Sequence, residues 1–194
     1  MNSITEKNSF LMLADFQPKM LEGVGSIELT KDQILAATKA MVECASIMGI
    51  PILIVSINEQ LNGQTFNELA SKATVVMERR RPVFNALDDP AVVEVINRYH
   101  DEGRTNCIIG GLWTSICMSF TAQSLVGHGW KVFGLYDCCG DVTQVAHKYA
   151  IEAMTKEGVI PSTWSAITFA LLNSWDNIRA KQIKEVFVKN LHTP

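Results

Sequence analysis

Short apolar runs alternate with longer stretches of helical period along this chain, and that alternation limits its fold more than any other feature. A strand covered on both faces reads as an unbroken apolar run, so the pattern predicts a mainly parallel sheet with helices on either side. Expected strands cover residues 9–14, 51–57, 74–78, 105–110 and 131–136, with a sixth short one at Val159-Ile160. Expected helices cover 30–48, 90–100, 114–127, 143–157 and 162 to about 172, and the apolar spacing of Ile178, Ile183, Val186 and Phe187 adds an amphipathic one over 175–191. Gly49, Gly103 and Gly129 stand where helices stop. The fold class is α/β: three layers, α/β/α, around a sheet of about six strands. With 194 residues, 47% of them hydrophobic, the chain is expected to form one domain over 1–194 and to bury about 70% of its unfolded surface.

Composition removes several classes of function. A formal net charge of −3 with one short basic run, Arg79-Arg80-Arg81, argues against a nucleic-acid partner. The polar start, Met1 to Asn8, has no cleavable apolar core, and no apolar run reaches the ~18 residues of a membrane span. No membrane partner and a cytoplasmic location are therefore expected. Five cysteines with no export signal read as reduced thiols. Cys138 and Cys139 are adjacent and no CxxC accompanies them, so zinc spacing is absent, and burial is expected for Cys44, Cys107, Cys138 and Cys139.

Open parallel sheets bind ligands beyond the carboxyl ends of their strands. Three residues fall there. Asp15 follows the first strand, Arg81 the third, and Cys117 the fourth, after a Gly110-Gly111 turn. With Thr114 as N-cap, Cys117 would sit in the first helical turn, where free N–H groups and the macrodipole favour a thiolate. Arg79 and Arg81 would point to one side of an extended backbone and Arg80 to the other, and Pro82 holds Arg81 extended. A thiol, a carboxylate and a cation at one rim can perform nucleophilic catalysis. The competing readings are ordinary ones: a turn residue for Asp15, a solvated run for the arginines, a buried small hydrophobe for the cysteine.

The segment GGLWTSICMSFTAQSLVGHGWKVFGLYDCCGD resembles the signature of the isochorismatase-like cysteine hydrolases, with a Gly-x-x-Thr-x-x-Cys turn, a Thr-Ala helix and an apolar strand ending in Asp. Asp15 in LMLADFQ, Arg81 in RRPVFNAL and the pair Thr163-Trp164 extend the likeness over almost the whole chain, toward the YcaC-like branch. The resemblance implies a triad of Asp15, Arg81 and Cys117, with arginine where most of the family has lysine. Arginine can orient and stabilise but shuttles protons poorly. It also implies a cis peptide at Leu112–Trp113 and an oxyanion hole from the backbone N–H groups of Trp113 and Cys117. A homo-oligomer, tetramer or octamer, is implied as well.

The activity so implied is hydrolysis of a small amide-like C–N substrate through a thioester. Gln17, Phe16, Phe84, Trp113 and Trp164 are candidate substrate-binding residues, each with loop or core packing as its competing reading. Nicotinamidases of the same family carry histidines after the second strand to hold a metal. Ser56-Ile57-Asn58-Glu59-Gln60 has none, so neither metal nor cofactor is expected; His100, His128, His147 and His192 read as structural or solvated. A non-catalytic or redox-sensing binding protein on the same scaffold is the alternative. A dinucleotide oxidoreductase fares poorly, since Asp15-Phe16-Gln17-Pro18 replaces the Gly-rich phosphate turn.

Overall fold

Phe10, Met12 and Ala14 face one side of the first strand and Leu11 and Leu13 the other, and all five are fully buried. A strand apolar on both faces needs a layer on each, and the chain supplies them. The computed structural model of the protein describes residues 4–25 and 27–190. Six parallel strands are β1 (Ser9–Ala14), β2 (Ile52–Ser56), β3 (Val75–Glu78), β4 (Asn106–Leu112), β5 (Lys131–Gly140) and β6 (Ile160–Ser162), in the order β3-β2-β1-β4-β5-β6. The three-layer α/β/α expectation is met.

One apolar layer joins Leu11, Leu13, Ile52 and Ile54 to α2 (Lys31–Met48), α8 (Trp164–Leu172) and α9 (Ala180–Asn190). The other joins Phe10, Met12, Leu53 and Val55 to α5 (Pro90–Asp101), α6 (Ser119–Gly127) and α7 (Gln144–Lys156). Short helices α1 (Pro18–Glu22), α3 (Glu59–Asn62) and α4 (Asn67–Ala70) lie in the connections. Helix α2 starts where its sequence says: the Thr30 hydroxyl accepts from Gln33 N–H, the Gln33 amide accepts from Thr30 N–H, and Gly49 closes the helix at φ 70°.

Three expected boundaries move. Gly110-Gly111 is not a turn but the continuation of β4, because a Cβ at Gly110 would lie 2.7 Å from the Cys138 carbonyl oxygen and one at Gly111 3.0 Å from Ala14 Cβ. Here glycine serves close strand packing. β5 likewise runs on to Gly140, past a register shift opposite Ile109 and Gly111. The last helix begins at Ala180 rather than 175, since the Ser174 hydroxyl accepts from Asp176 N–H and the Asn177 side chain from Arg179 N–H, drawing the backbone into turns. Its expected end, Leu191, and also His192 lie outside the described residues. Among the described residues, no helix is long and apolar enough to cross a membrane.

Candidate active site

β1 pairs with β2 on one side and β4 on the other, so the crossovers diverge between β1 and β4 and open a crevice beyond their carboxyl ends. Asp15 and the turn bearing Cys117 flank that crevice. Asp15 sits at φ 60°, a left-handed conformation that aspartate tolerates better than most residues. Its N–H donates to the Val55 carbonyl (2.9 Å) and its own carbonyl accepts from Gln17 N–H (2.8 Å), so backbone bonds on both sides hold the turn.

The cation that meets Asp15 is Arg79, not Arg81. Arg79 is the first residue after β3 and its N–H donates to the Ser56 carbonyl, which keeps it in register with β2. Its Nη2 lies 2.5 and 2.6 Å from the two Asp15 carboxylate oxygens, with both side chains wholly buried. Nη1 donates to the Phe84 carbonyl and Nε to the Ser56 carbonyl. Arg81, two residues further on, is exposed. Arg79 and Arg81 were expected on one side of an extended backbone, but the backbone bends at Arg80 and Arg81, and only the arginine adjacent to the end of β3 is buried.

Cys117 lies in a five-residue π-helical turn, Thr114–Met118, that precedes α6. The Trp113 carbonyl accepts from both Ile116 and Met118 N–H, a widening common at functional sites. The Thr114 side chain does not cap this turn; its hydroxyl meets His147 Nδ1 at 3.0 Å. Cys117, only 3% exposed, lies beside the Asp15 carboxylate and Arg79, close enough for both to act on its thiol. Burial, and then the neighbouring Asp15 charge, push this thiol up to about 12. The neutral thiol is therefore favoured at rest, contrary to the helix-start expectation of a thiolate. Burial likewise raises the Asp15 carboxyl above its ordinary value, against the opposing pull of Arg79 and of the thiol. A neutral thiol beside a carboxylate of strengthened basicity is an arrangement for proton transfer at the moment of attack. The Leu112–Trp113 peptide is cis.

The isochorismatase domain model matches residues 9–166, more than half of the chain and all of this site. The chain belongs to the isochorismatase family. Isochorismatase family protein 2A of Dictyostelium discoideum is 23% identical over 97% of this chain and 94% of its own length. The probable hydrolase YcaC of Escherichia coli is 26% identical over 90% of this chain and 82% of its own. A structure of the E. coli YcaC gene product, described as an octameric hydrolase of unknown specificity, superposes with a TM-score of 0.89 at 24% identity, covering 98% of this chain and 92% of that one. YcaC from Pseudomonas aeruginosa, solved with hexane-2,5-diol and covalent acrylamide, gives 0.90 at 22% identity with the same coverage. In sequence and fold the chain stands with the YcaC-like branch.

Other candidate residues of this isochorismatase-family chain divide. Gln17 is fully buried with both ends of its amide in use: Oε1 accepts from Ile57 N–H (2.9 Å) and Nε2 donates to the Gly63 carbonyl (2.5 Å). It ties two loops together. Phe16 is a core side chain packed with the α2 layer. Trp164 stands against Phe187 and lines a cavity of about 200 Å³ with Leu29, Ala37 and Asp137, to which Asp15, Arg79 and Cys117 do not contribute. Those three substrate-binding expectations are corrected. Trp113 remains at the crevice, half-buried, its indole N–H donating to the Met20 carbonyl (2.8 Å) and its ring resting so near Gly23 that a Cβ there would lie 2.5 Å away. Phe84 is exposed, though its carbonyl binds Arg79 at 3.0 Å. The other four cysteines are buried and unpaired. Among the described residues no three His, Cys, Asp or Glu side chains cluster as metal ligands would.

Proposed function

We propose that the chain is a hydrolase that cleaves a small amide-like C–N bond through a thioester on Cys117. One observation supports this reading above the rest: the Cys117 thiol stands beside a buried Asp15 carboxylate that Arg79 fixes in place. Asp15 takes the thiol proton as sulfur bonds the carbonyl carbon, and the carbonyl electrons move to oxygen, where the backbone N–H groups of Trp113 and Cys117 receive the charge. Collapse expels the amine, which takes the proton from Asp15, and leaves the thioester. Water then attacks, gives a proton to the same carboxylate, and releases the acid as the proton returns to sulfur.

Arg79 directs its donors to Asp15, Phe84 and Ser56. In this mechanism it orients and stabilises the carboxylate, and proton transfer is left to Asp15. Trp113 walls the acyl pocket. The covalent acrylamide in the Pseudomonas relative supports an electrophile-accepting site on this fold, and the octamer of the E. coli relative supports a homo-oligomer.

Amine release from a panel of small amides tests the proposal. Turnover is expected in the wild type and absent in Cys117→Ala; an undiminished Cys117→Ala rate would refute it. The redox-sensing alternative predicts no amine release from either protein, and light scattering on the same preparation reports the assembly.

A further inference from the structure

The turn that carries Cys117 is held from outside by a residue the mechanism does not use. Asp141 follows β5 directly and is fully buried. Its Oδ2 accepts from the Ser115 N–H at 2.6 Å, its Oδ1 accepts from the Val142 N–H at 2.8 Å, and its carbonyl accepts from the Gly25 N–H at 2.9 Å. Gly25 can approach this closely because it lacks a Cβ, which would lie 2.0 Å from the Val142 carbonyl oxygen. Next to Ser115, the buried Thr114 hydroxyl is tied to His147 Nδ1 on α7. Two consecutive residues of the π-helical turn are thus anchored to the end of β5 and the start of α7. Between Trp113 and Cys117, the two residues whose N–H groups are assigned to the oxyanion, Ser115 is the midpoint.

Charge-assisted hydrogen bonds from a carboxylate to backbone N–H groups are short and roughly twice as strong as neutral ones. A turn whose ends must meet a developing charge within a few tenths of an ångström gains from such an anchor, because misplacement of donors costs rate steeply. We propose that Asp141 is a positioning residue for Cys117: its carboxylate fixes the Ser115 N–H, and with it the turn that presents the thiol and the Trp113 and Cys117 N–H groups together. The inference rests on the reading of Cys117 as the nucleophile.

Two alkylating reagents separate positioning from simple support. With acrylamide, the Cys117 sulfur bonds the terminal vinyl carbon, the π electrons move onto the carbonyl oxygen, and the proton given up by the thiol ends on the α carbon. With iodoacetamide, sulfur displaces iodide and no oxyanion forms. Asp141→Asn keeps the side-chain shape but has one acceptor oxygen for two N–H donors. The acrylamide rate at Cys117, read by intact mass and peptide mapping, is expected to fall about tenfold in this variant and further in Asp141→Ala, while the iodoacetamide rate changes less than about twofold. Equal losses with both reagents, or no loss with either, would overturn the positioning role; should Asp141→Ala not fold, Asp141→Asn decides. Wild-type Cys117 that accepts neither reagent would instead remove the nucleophile reading, and this inference with it.

Discussion

Asp15→Asn is expected to cut amide turnover by about 10²–10⁴-fold, the range that general acid–base groups contribute, and to destabilise the protein by about 3–5 kcal/mol. Both effects come from one geometry. An amide cannot take the thiol proton as sulfur attacks, while burial, the largest cause acting on the Cys117 thiol, still favours its neutral form. The stability cost arises because the Arg79 guanidinium, wholly buried, loses its counter-charge. For a chain of this length a loss of that size lowers Tm by on the order of 10 °C. Turnover is therefore compared at a temperature where circular dichroism reports the variant folded. Wild-type activity is expected to rise with pH through the raised Asp15 pKa, since the protonated carboxyl cannot act as base, and this acid limb is expected to vanish with the residual activity of Asp15→Asn.

Arg79→Ala and Arg81→Ala are expected to differ by several kcal/mol although they are two residues apart. Arg81 is exposed, and its loss is expected to change stability by less than about 0.5 kcal/mol. Arg79→Ala leaves Asp15 buried and unpaired at a cost of about 3–5 kcal/mol when ionised. That cost depends on pH in a defined direction. Without the guanidinium, burial outweighs the remaining pull of the Cys117 thiol on Asp15, so its folded-state pKa stands above the unfolded value and the protonated form is favoured in the native state. The variant is then nearest to wild-type stability in acid and falls behind as pH rises through that pKa. Chemical denaturation at about pH 5 and pH 8 measures this. An equal deficit at both values, or a deficit in Arg81→Ala instead, would contradict the ion pair described here.

The same arginines mark how far the sequence could be read. Apolar runs located all six strands, most plainly β1, β2, β4 and β5, because a strand buried on both faces has little choice of composition. Asp15 and Cys117 were legible because each follows such a run. Arg79 was within sight as part of its trio and the expected strand ended where β3 does, at Glu78, yet choosing it requires knowing that the backbone bends at Arg80 and Arg81, which side-chain type does not reveal. Gly110-Gly111 carried a turn signal and serves instead as a packing gap in β4, decided by Cys138 and Ala14, residues distant in sequence. Gln17 and Asp141 were illegible as anchors for the same reason. A buried amide or carboxylate that bonds backbone N–H groups leaves no periodic trace, and with the strand expected to end at residue 136, Asp141 fell in a connecting segment. The π-helical turn has no composition of its own, so the shift of Cys117 from helix start to widened turn, and from thiolate to neutral thiol, appears only in three dimensions.

The account turns on sulfur forming a bond to the substrate. Rapid-quench intact-mass analysis during turnover of an amide is expected to show the protein heavier by the acyl group, with the addition mapped to Cys117 among the five cysteines and gone once substrate is spent. Turnover under these conditions with Cys117 unmodified at every quench time, or with the adduct on another residue, would contradict it.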